Sequence, residues 1–273
     1  MNNISFRYSG SKQHLVKYIN SIIPKEEDWF YVESFLGSGA IFYNLENQFR
    51  WNYLTDIDKN IIRMHNCFKK YSYAQYKSVL DFVLDNFGDI KTDKEAYYKL
   101  RDCYNKSEWR DKDLVLLMLS NSCINSMLRF GPNGMNQSWG NRHHIIPEDC
   151  WDNMKSRLEK ATLKNLDYSS TFNMINQNNK LSWFVFLDPP YVDRFMVYEN
   201  KFNRIDYLKS LISITCDCKN IKVVYSDIDN EESDMLLHYG FNKINSKILR
   251  NSAPYSKKEL TKREVLYLYN IES

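Results

Sequence analysis

The tetrapeptide Asp188-Pro189-Pro190-Tyr191 combines residue types that suit chemistry on an amino nitrogen. When its lone pair is delocalised into an aromatic ring, such a nitrogen is a poor nucleophile. A catalyst helps by accepting hydrogen bonds from both N–H groups in a fixed geometry. The Asp188 carboxylate and the Pro189 carbonyl supply two acceptors, and Tyr191 can stack on the ring face. The alternative is a turn that only ends a strand, but the preceding apolar run Trp183–Leu187 favours the chemical interpretation.

A glycine turn and an acidic residue in the first quarter of the chain are typical of a site for a nucleotide-like ligand. Gly37 and Gly39 follow an aromatic and β-branched run, where glycine lets the backbone approach a ligand closely. Asp56 ends the next apolar run and is well placed to bind ribose hydroxyls. Phe42 stands where a dinucleotide motif has its third glycine, which argues against a dinucleotide site.

The hydrophobic pattern predicts a doubly wound, Rossmann-like α/β sheet that is interrupted by a long, mainly helical insertion. Before the insertion, the predicted elements are strands at 29–35 and 51–55 and helices at 40–48 and 59–70. The insertion is predicted to contain helices at 72–87, 94–105, 112–128 and 147–161 and a hairpin turn at 130–134. The later elements are predicted to be strands at 183–187 and 221–225, a helix at 205–216, and an antiparallel pair at 244–249 and 265–270. We therefore expect a catalytic domain at 1–60 and 165–273 and an inserted domain at 61–164.

Composition limits the classes of protein to which the chain can belong. Its 273 residues are 43% hydrophobic, which is enough for a buried core, and a net charge of +3 neither indicates nor excludes a nucleic-acid partner. The six cysteines form no C-x-x-C pair, so we expect neither a zinc site nor disulfides. No stretch approaches about 18 apolar residues, so we expect a soluble, cytoplasmic protein without a membrane partner.

Taken together, the motifs resemble those of the Dam-like DNA adenine-N6 methyltransferases of the D12 class, in the α order. The resemblance covers nearly the whole chain through Tyr8-Ser9-Gly10-Ser11-Lys12, Val32–Gly39, Leu54–Asp58 and Asp188–Tyr191. It implies S-adenosylmethionine as cofactor, without a metal, bound by Tyr8, Lys12, Phe35, Gly37, Gly39, Asp56 and Asp188. It also implies that Asp188, Pro189 and Tyr191 are the catalytic residues.

The insertion is similar to the target-recognition domain of that family, which carries a DNA-reading β-hairpin. The resemblance implies DNA contacts from Asn125, Met127, Arg129, Asn133, Asn136 and Arg142, and from Arg250 and Lys262 in a basic C-terminal segment. Arg129 suits guanine in the major groove, while Met127 suits either a thymine methyl group or core packing. His143 and His144 are either phosphate contacts or ordinary exposed histidines. Residues 135–140 lack the proline of the usual Phe-Asn-x-Pro-Phe-Gly segment, so the recognition sequence is left open.

The expected function is site-specific methylation of adenine N6 in double-stranded DNA by base flipping, performed by a monomer or weak dimer. The expected setting is a bacterial cell or a phage-infected host, in association with the nucleoid. Three alternatives are an adenine-N6 methyltransferase acting on RNA, a protein-glutamine methyltransferase, and a catalytically inactive DNA-binding module. The hairpin favours DNA over RNA. Asp188 disfavours the glutamine enzymes, whose motif begins with Asn, and intact Asp188 and Tyr191 favour an active enzyme.

Overall fold

The computed structural model describes residues 6, 8, 10–106, 109–126, 128–142, 144–190, 202–249 and 262–272, with side chains for all of these except 126, 246–249, 262 and 263. The chain divides into two compact units, each assembled from separate stretches of sequence. The first, which we call the helical unit, consists of Met1–Val16, Leu36–Leu45 and Asp58–Leu163. The second, the sheet unit, consists of Lys17–Phe35, Glu46–Ile57 and Lys164–Ser273.

The described residues form a mixed α/β structure. Its α-helices are α1 (Val16–Ile22), α2 (Lys59–Lys70), α3 (Tyr73–Phe87), α4 (Lys94–Lys106), α5 (Lys112–Ser122), α6 (Glu148–Glu159), α7 (Tyr168–Gln177), α8 (Arg204–Asp217) and α9 (Glu231–Asp234). Its strands are β1 (Phe30–Glu33), β2 (Trp51–Asp56), β3 (Phe130–Gly131), β4 (Gly134–Met135), β5 (Ala161–Asn165), β6 (Ser182–Leu187), β7 (Asn220–Ile228), β8 (Phe241–Leu249) and β9 (Lys262–Tyr269).

Seven of these strands form one sheet in the order β5-β2-β1-β6-β7-β9-β8. Strand β1 pairs in parallel with β2 and β6, and β6 pairs in parallel with β7. Strand β9 is antiparallel to both β7 and β8, as predicted for the C-terminal pair. The predicted Rossmann-like α/β sheet is therefore confirmed.

Strand β6 lies in the middle of the sheet and is buried along most of its length. No residue from Trp183 to Leu187 is more than 1% exposed. A strand that is covered on both faces needs a continuous apolar run rather than an alternating pattern, which is why this segment was recognisable in the sequence. On α8, Tyr207, Leu208 and Leu211 join the same core. The strand thus gives Asp188, which follows it directly, a rigid support.

In the helical unit, α5 is the central element. No residue between Leu114 and Ser122 is more than 1% exposed, as expected for a helix that other elements surround. A second packing centre forms around Trp151 of α6, whose ring stacks on Tyr76 at 4.6 Å and meets Phe68 edge-on at 4.7 Å. The Trp151 indole N–H donates to the Tyr71 carbonyl at 3.3 Å, so its polar atom is also satisfied.

The helix predicted at 40–48 is wrong. Only the 3-10 turn Phe42–Asn44 forms, and the next residue, Leu45, is extended with φ −63° and ψ 135°. The Asn44 side chain donates to the Ala40 carbonyl at 2.9 Å. The backbone bonds run from the Asn44 N–H to the Ile41 carbonyl at 2.9 Å and from the Leu45 N–H to the Phe42 carbonyl at 3.4 Å, which is the i to i−3 pattern of a 3-10 turn.

Two other predicted helices end earlier than expected. Helix α5 ends at Ser122 rather than at 128, because Cys123 is extended and Asn125 has a left-handed φ of 54°. Helix α6 ends at Glu159 rather than at 161.

The elements that follow α6, β5 and α7, were not predicted. Strand β5 has only Ala161 buried and offers little apolar pattern. Helix α7 begins where the Asp167 side chain accepts a hydrogen bond from the Ser170 N–H at 3.0 Å.

We predict that Trp151→Ala lowers the free energy of unfolding by about 3–5 kcal/mol, because a fully buried aromatic side chain leaves a cavity. Urea unfolding followed by circular dichroism measures the change. The matched control is Leu84→Ala, since Leu84 is 55% exposed and its truncation should cost no more than about 0.5 kcal/mol. Equal losses in the two variants would contradict the packing described for Trp151.

Candidate functional site

The glycine turn lies in the helical unit and is closed by a hydrogen bond from the Gly39 N–H to the Leu36 carbonyl at 2.7 Å. Gly37 and Gly39 have left-handed φ values of 48° and 65°. A Cβ on Gly37 would lie 3.1 Å from the Tyr8 ring, and one on Gly39 would lie 2.9 Å from the Tyr43 ring. Both positions therefore require glycine for conformation and for space.

The N-terminal segment packs against this turn. The Tyr8 ring lies beside Gly37, and the Ser11 and Ser38 hydroxyls are 3.4 Å apart. Lys12 is 7% exposed, and its ammonium group donates to the Gly10 carbonyl at 3.1 Å. The predicted cofactor residues Tyr8, Lys12, Gly37 and Gly39 thus belong to one neighbourhood of the helical unit.

His65 of α2 lies against the turn and was not singled out in the sequence. It is fully buried, with Nε2 at 2.8 Å from the Gly37 carbonyl oxygen and Nδ1 at 2.9 Å from the Tyr43 hydroxyl. Its ring also contacts Phe6, with 4.9 Å between ring centroids. Burial lowers the pKa of His65 to about 4, and its hydrogen bond to Gly37 only partly opposes this shift.

In the sheet unit, parallel pairing brings three predicted site residues to the same edge of the sheet. Residue 33 of β1 is in register with residue 54 of β2 and residue 186 of β6. Phe35, Asp56 and Asp188 each come two positions later along these parallel strands. The carboxyl ends of parallel strands are the usual place for a ligand in an open α/β sheet.

The residues at this edge are largely withdrawn from solvent. Asp56 is 8% exposed, and its backbone carbonyl accepts a hydrogen bond from the Asn165 side chain at 2.9 Å. Asp188 is half-buried and Pro189 is buried. Both acidic side chains thus lie at the carboxyl edge of the sheet with limited access to solvent.

An aromatic cluster surrounds Phe35, and the sequence had not indicated it. The Phe35 ring lies 5.8 Å from Tyr207, 6.3 Å from Phe202 and 6.4 Å from Tyr168. Burial raises the pKa of Tyr207 well above its usual value, and the charge of Asp188 adds to the shift. Tyr207 therefore stays neutral in the core beside this edge.

The end of β7 carries a further buried carboxylate that the sequence analysis missed. Asp227 is 1% exposed and accepts hydrogen bonds from the Tyr225 and Ser233 hydroxyls, each at 2.6 Å. Arg204 lies 3.5 Å from it. Its position after an apolar strand is the same signal that pointed to Asp56 and Asp188. Its close partners indicate a structural role for it.

The predicted hairpin forms in the helical unit as β3 and β4, with Phe130 opposite Met135. Asn125, Arg129, Asn133 and Asn136 are exposed on or near it, and Arg142 is half-buried. These side chains are available to a partner, in contrast to the neighbouring Met135, which is 1% exposed.

Helix α4 holds the second arm of the hairpin through polar side chains that the sequence did not reveal. Asn105 makes two hydrogen bonds to Met135, donating to its carbonyl and accepting from its N–H, each at 2.8 Å. Tyr97 and Arg101 both donate to the Gln137 carbonyl, at 3.1 and 3.2 Å. A side chain on Gly134 would collide with Asn105, so the turn and its support fit only with glycine there.

Some predicted residues lie outside the described part of the structure. These are Tyr191, Met127, His143 and Arg250, together with the side chain of Lys262. Their predicted roles stay predictions.

Within the described ranges, no group of three or more His, Cys, Asp or Glu side chains is arranged to hold a metal ion. The six cysteines are free thiols. None of the described helices has both the length and the apolar character that crossing a membrane requires.

A seven-stranded, mostly parallel sheet with acidic residues at its carboxyl edge has the architecture of the open α/β sheets that bind a ligand at this edge. The sequence model of the D12 class N6 adenine-specific DNA methyltransferases matches residues 8–255. The chain therefore belongs to this family and is a DNA adenine methyltransferase, and the resemblance seen in the motifs is confirmed.

Three relatives illustrate the similarity. The chain is 28% identical over 203 residues to the type II methyltransferase M.CviBI of Paramecium bursaria Chlorella virus NC1A, covering 70% of each chain. It is 25% identical over 259 residues to the type II methyltransferase M.MjaIII of Methanocaldococcus jannaschii, covering 86% of this chain and 88% of the relative. It is 24% identical over 277 residues to the type II methyltransferase M.FokI of Planomicrobium okeanokoites, covering 94% of this chain and 41% of the relative.

We predict that acid weakens the fold at His65, which faces the Gly37 carbonyl, the Tyr43 hydroxyl and the Phe6 ring. The unfolded chain protonates this residue near pH 6.5, whereas the folded protein does so only near pH 4. Its contribution to stability is therefore complete above about pH 6.5 and falls by up to about 3 kcal/mol as the pH approaches 4. Urea unfolding at a series of pH values measures this loss. His65→Leu, which has no proton to gain, should show a shallower decline, and an identical decline would contradict the assignment.

Proposed function

We propose that this enzyme transfers a methyl group from S-adenosylmethionine to N6 of adenine in double-stranded DNA, after flipping the base out of the helix. The observation that carries the proposal is the position of Asp188 and Pro189. They follow the buried strand β6 at the edge of the sheet where β2 also ends in Asp56. An acidic residue and a proline carbonyl at such an edge supply two fixed acceptors for an amino group. The relatives are named type II methyltransferases, and we propose a restriction–modification setting for this chain also.

The residues present fit the proposed cofactor. The tight turn at Gly37, lined by the Tyr8 ring, offers backbone without side chains in the way. Asp56 offers a buried carboxylate of the kind that binds ribose hydroxyls, and Lys12 offers a cation for a carboxylate. We assign cofactor contact to Tyr8, Lys12, Phe35, Gly37, Gly39, Asp56 and Asp188. When bound, S-adenosylmethionine supplies an electrophilic methyl group on a sulfonium.

The catalytic task of the chain is to prepare the amino nitrogen. Asp188 accepts a hydrogen bond from one N–H of the amino group, and the Pro189 carbonyl accepts the other. These acceptors help the lone pair to leave conjugation with the ring and stabilise the positive charge that develops on the nitrogen as the lone pair forms the new N–C bond, after which the nitrogen loses one of its two protons. Tyr191 stacks on the base and restricts its plane, so that the nitrogen stays in line for displacement. Because β6 is packed on both faces, the acceptors need little reorganisation.

Recognition of DNA is assigned to residues 61–164, and above all to the hairpin. Arg129, Asn133 and Asn136 are exposed there, with side chains of the types that read base edges. Asn125, Met127 and Arg142 complete the proposed contacts in the insertion. Arg250 and Lys262 are proposed to contact phosphates, which carry no sequence information but fix the register on the duplex.

We predict that Asp188→Ala lowers kcat by at least about 100-fold, because one fixed acceptor for the developing charge is lost. Transfer of tritium from labelled S-adenosylmethionine measures the rate, with duplex DNA, single-stranded DNA and an RNA transcript as separate substrates. Digestion and chromatography of the product then identify N6-methyladenine. Asp217→Ala is the control, since Asp217 is an exposed acid at the end of α8 in the same unit.

Two results would overturn the proposal. One is full activity of Asp188→Ala, which would remove Asp188 from the chemistry. The other is a clear preference of the wild-type enzyme for RNA, which would favour the RNA methyltransferase alternative.

A second prediction concerns the support of the hairpin. Asn105→Leu leaves the N–H and carbonyl of Met135 without these partners, so we expect the hairpin to loosen and the Kd for duplex DNA to rise about tenfold. Fluorescence anisotropy with labelled duplex measures the affinity. Asn86→Ala, an exposed asparagine on α3, should leave DNA binding unchanged. Equal DNA affinity of Asn105→Leu and wild type would argue against the hairpin as the DNA-reading element.

A further inference from the structure

The orientation of the peptide group between Gly37 and Ser38 defines the type of the turn from Leu36 to Gly39. Gly37 has a positive φ of 48° whereas Ser38 does not, which is the pattern of a type II′ turn. In a type I′ turn, Ser38 would also have a positive φ. The two types differ by rotation of the peptide group that joins Gly37 to Ser38. Ser38 disfavours that positive φ, so the sequence of the turn already favours the observed arrangement, and a hydrogen bond to this peptide group adds to the preference.

His65 holds that same peptide group. The Gly37 carbonyl lies 2.8 Å from His65 Nε2, and a carbonyl can only accept a hydrogen bond. Nε2 therefore carries the proton, and Nδ1 of the neutral ring is left to accept from the Tyr43 hydroxyl at 2.9 Å. The Gly37 carbonyl thus sets the tautomer of His65, and the hydrogen bond from the Tyr43 hydroxyl to Nδ1 orients the ring.

The imidazole also supports the turn sterically. A Cβ on Gly39 would lie 3.2 Å from Cε1 of His65, so the ring is in close contact with the turn at both glycines. Its other neighbour, Phe6, is apolar. A leucine would fill a comparable volume in such a site but would make neither the hydrogen bond to the Gly37 carbonyl nor the one to the Tyr43 hydroxyl. An imidazole has an advantage over a leucine at this position only through its hydrogen bonds to Gly37 and Tyr43.

We propose that His65, oriented by Tyr43, is a positioning residue that fixes the Gly37–Ser38 peptide of the turn in the arrangement that binds the cofactor. In a planar trans peptide, the C=O and the following N–H point in opposite directions. Directing the Gly37 carbonyl toward His65 therefore also directs the Ser38 N–H. This inference rests on the proposed role of the turn in binding S-adenosylmethionine. We therefore expect His65 to affect the affinity for the cofactor rather than the rate of the chemical step.

The variants that test this role are His65→Leu, which removes both hydrogen bonds, and His65→Gln, whose amide can still donate to the Gly37 carbonyl. A third, Tyr43→Phe, removes the hydroxyl that donates to Nδ1 and orients the ring. Met64→Ala is the matched control, because Met64 is equally buried on the same helix. Its side chain leaves the helix about 100° around the axis from that of His65. All are made in the full chain.

Three measurements are combined. Isothermal titration calorimetry gives the Kd for S-adenosylmethionine, and steady-state kinetics give kcat and the KM values for cofactor and DNA. Hydrogen–deuterium exchange of the peptide that contains residues 36–39 reports on the turn without any ligand. For His65→Leu we expect Kd and KM for the cofactor to rise about tenfold, with kcat and the KM for DNA within about twofold, and faster exchange of the turn. His65→Gln should recover most of the affinity, and Tyr43→Phe should fall between the two.

The outcomes separate this inference from the proposed function. Unchanged cofactor affinity and unchanged exchange in His65→Leu would overturn the inference, as would an equal loss of affinity in Met64→Ala. A wild-type protein that does not bind S-adenosylmethionine would overturn the proposed function, while exchange at 36–39 would still decide whether His65 holds the turn. If His65→Leu does not fold, the comparison between His65→Gln and Tyr43→Phe decides. The inference is supported if Tyr43→Phe binds the cofactor more weakly than His65→Gln does. It is contradicted if the two variants bind the cofactor equally well.

Discussion

The parallel pairing of β1 with β2 and β6 is the constraint on which the proposed chemistry depends. Phe35, Asp56 and Asp188 are far apart in the sequence and reach one edge only because their strands run in the same direction. A slip of one residue in this register would turn each of these side chains to the other face of the sheet. The burial of β6 on both faces prevents such a slip, since every displaced residue would lose its place in the core. Packing in the middle of the sheet therefore determines where Phe35, Asp56 and Asp188 lie at its carboxyl edge.

Two glycine turns in the helical unit are supported in the same way. His65 of α2 bonds the carbonyl of Gly37, and Asn105 of α4 bonds both backbone groups of Met135, next to Gly134. Irregular backbone leaves N–H and C=O groups that no ladder satisfies, and a buried polar side chain from a regular helix can satisfy them. The helices thus give the turns a rigidity that short loops lack. In both cases the support lies behind the residues that are proposed to meet a ligand.

The sequence predicted most of what is periodic and local. Helix α2 was placed at 59–70 because its apolar spacing is strong, and the Asp58 side chain caps it at the Asn60 N–H. The apolar run of β6 and the motif at Asp188 were also recognised in the sequence. The prediction at 40–48 failed because apolar spacing does not distinguish a regular helix from a short 3-10 turn that is followed by extended chain.

The hydrogen bonds by which His65 and Asn105 support the two turns could not be predicted, because their partners are distant in the chain. His65 contacts a carbonyl 28 residues away, and Asn105 contacts a backbone 30 residues away. A lone histidine or asparagine in an amphipathic helix has no pattern that reveals such a partner. The aromatic cluster around Phe35 combines residues just after β1, at the start of α7, and in or just before α8, and only the fold brings them together. The residues proposed to do the chemistry could be predicted from the sequence, whereas most of the residues that support them could not.

The discontinuous make-up of the helical unit bears on how specificity can change during evolution. The chain enters this unit three times, and the segment with the hairpin depends on partners from the earlier passes. His65 needs the Gly37 carbonyl, and Arg157 donates to the Leu45 carbonyl at 2.7 Å. A recombination event that exchanged residues 61–164 as a cassette would separate these pairs. With the hairpin in its proposed DNA-reading role, point changes on its exposed face would alter target preference without breaking these hydrogen bonds, whereas exchange of the whole segment would break them.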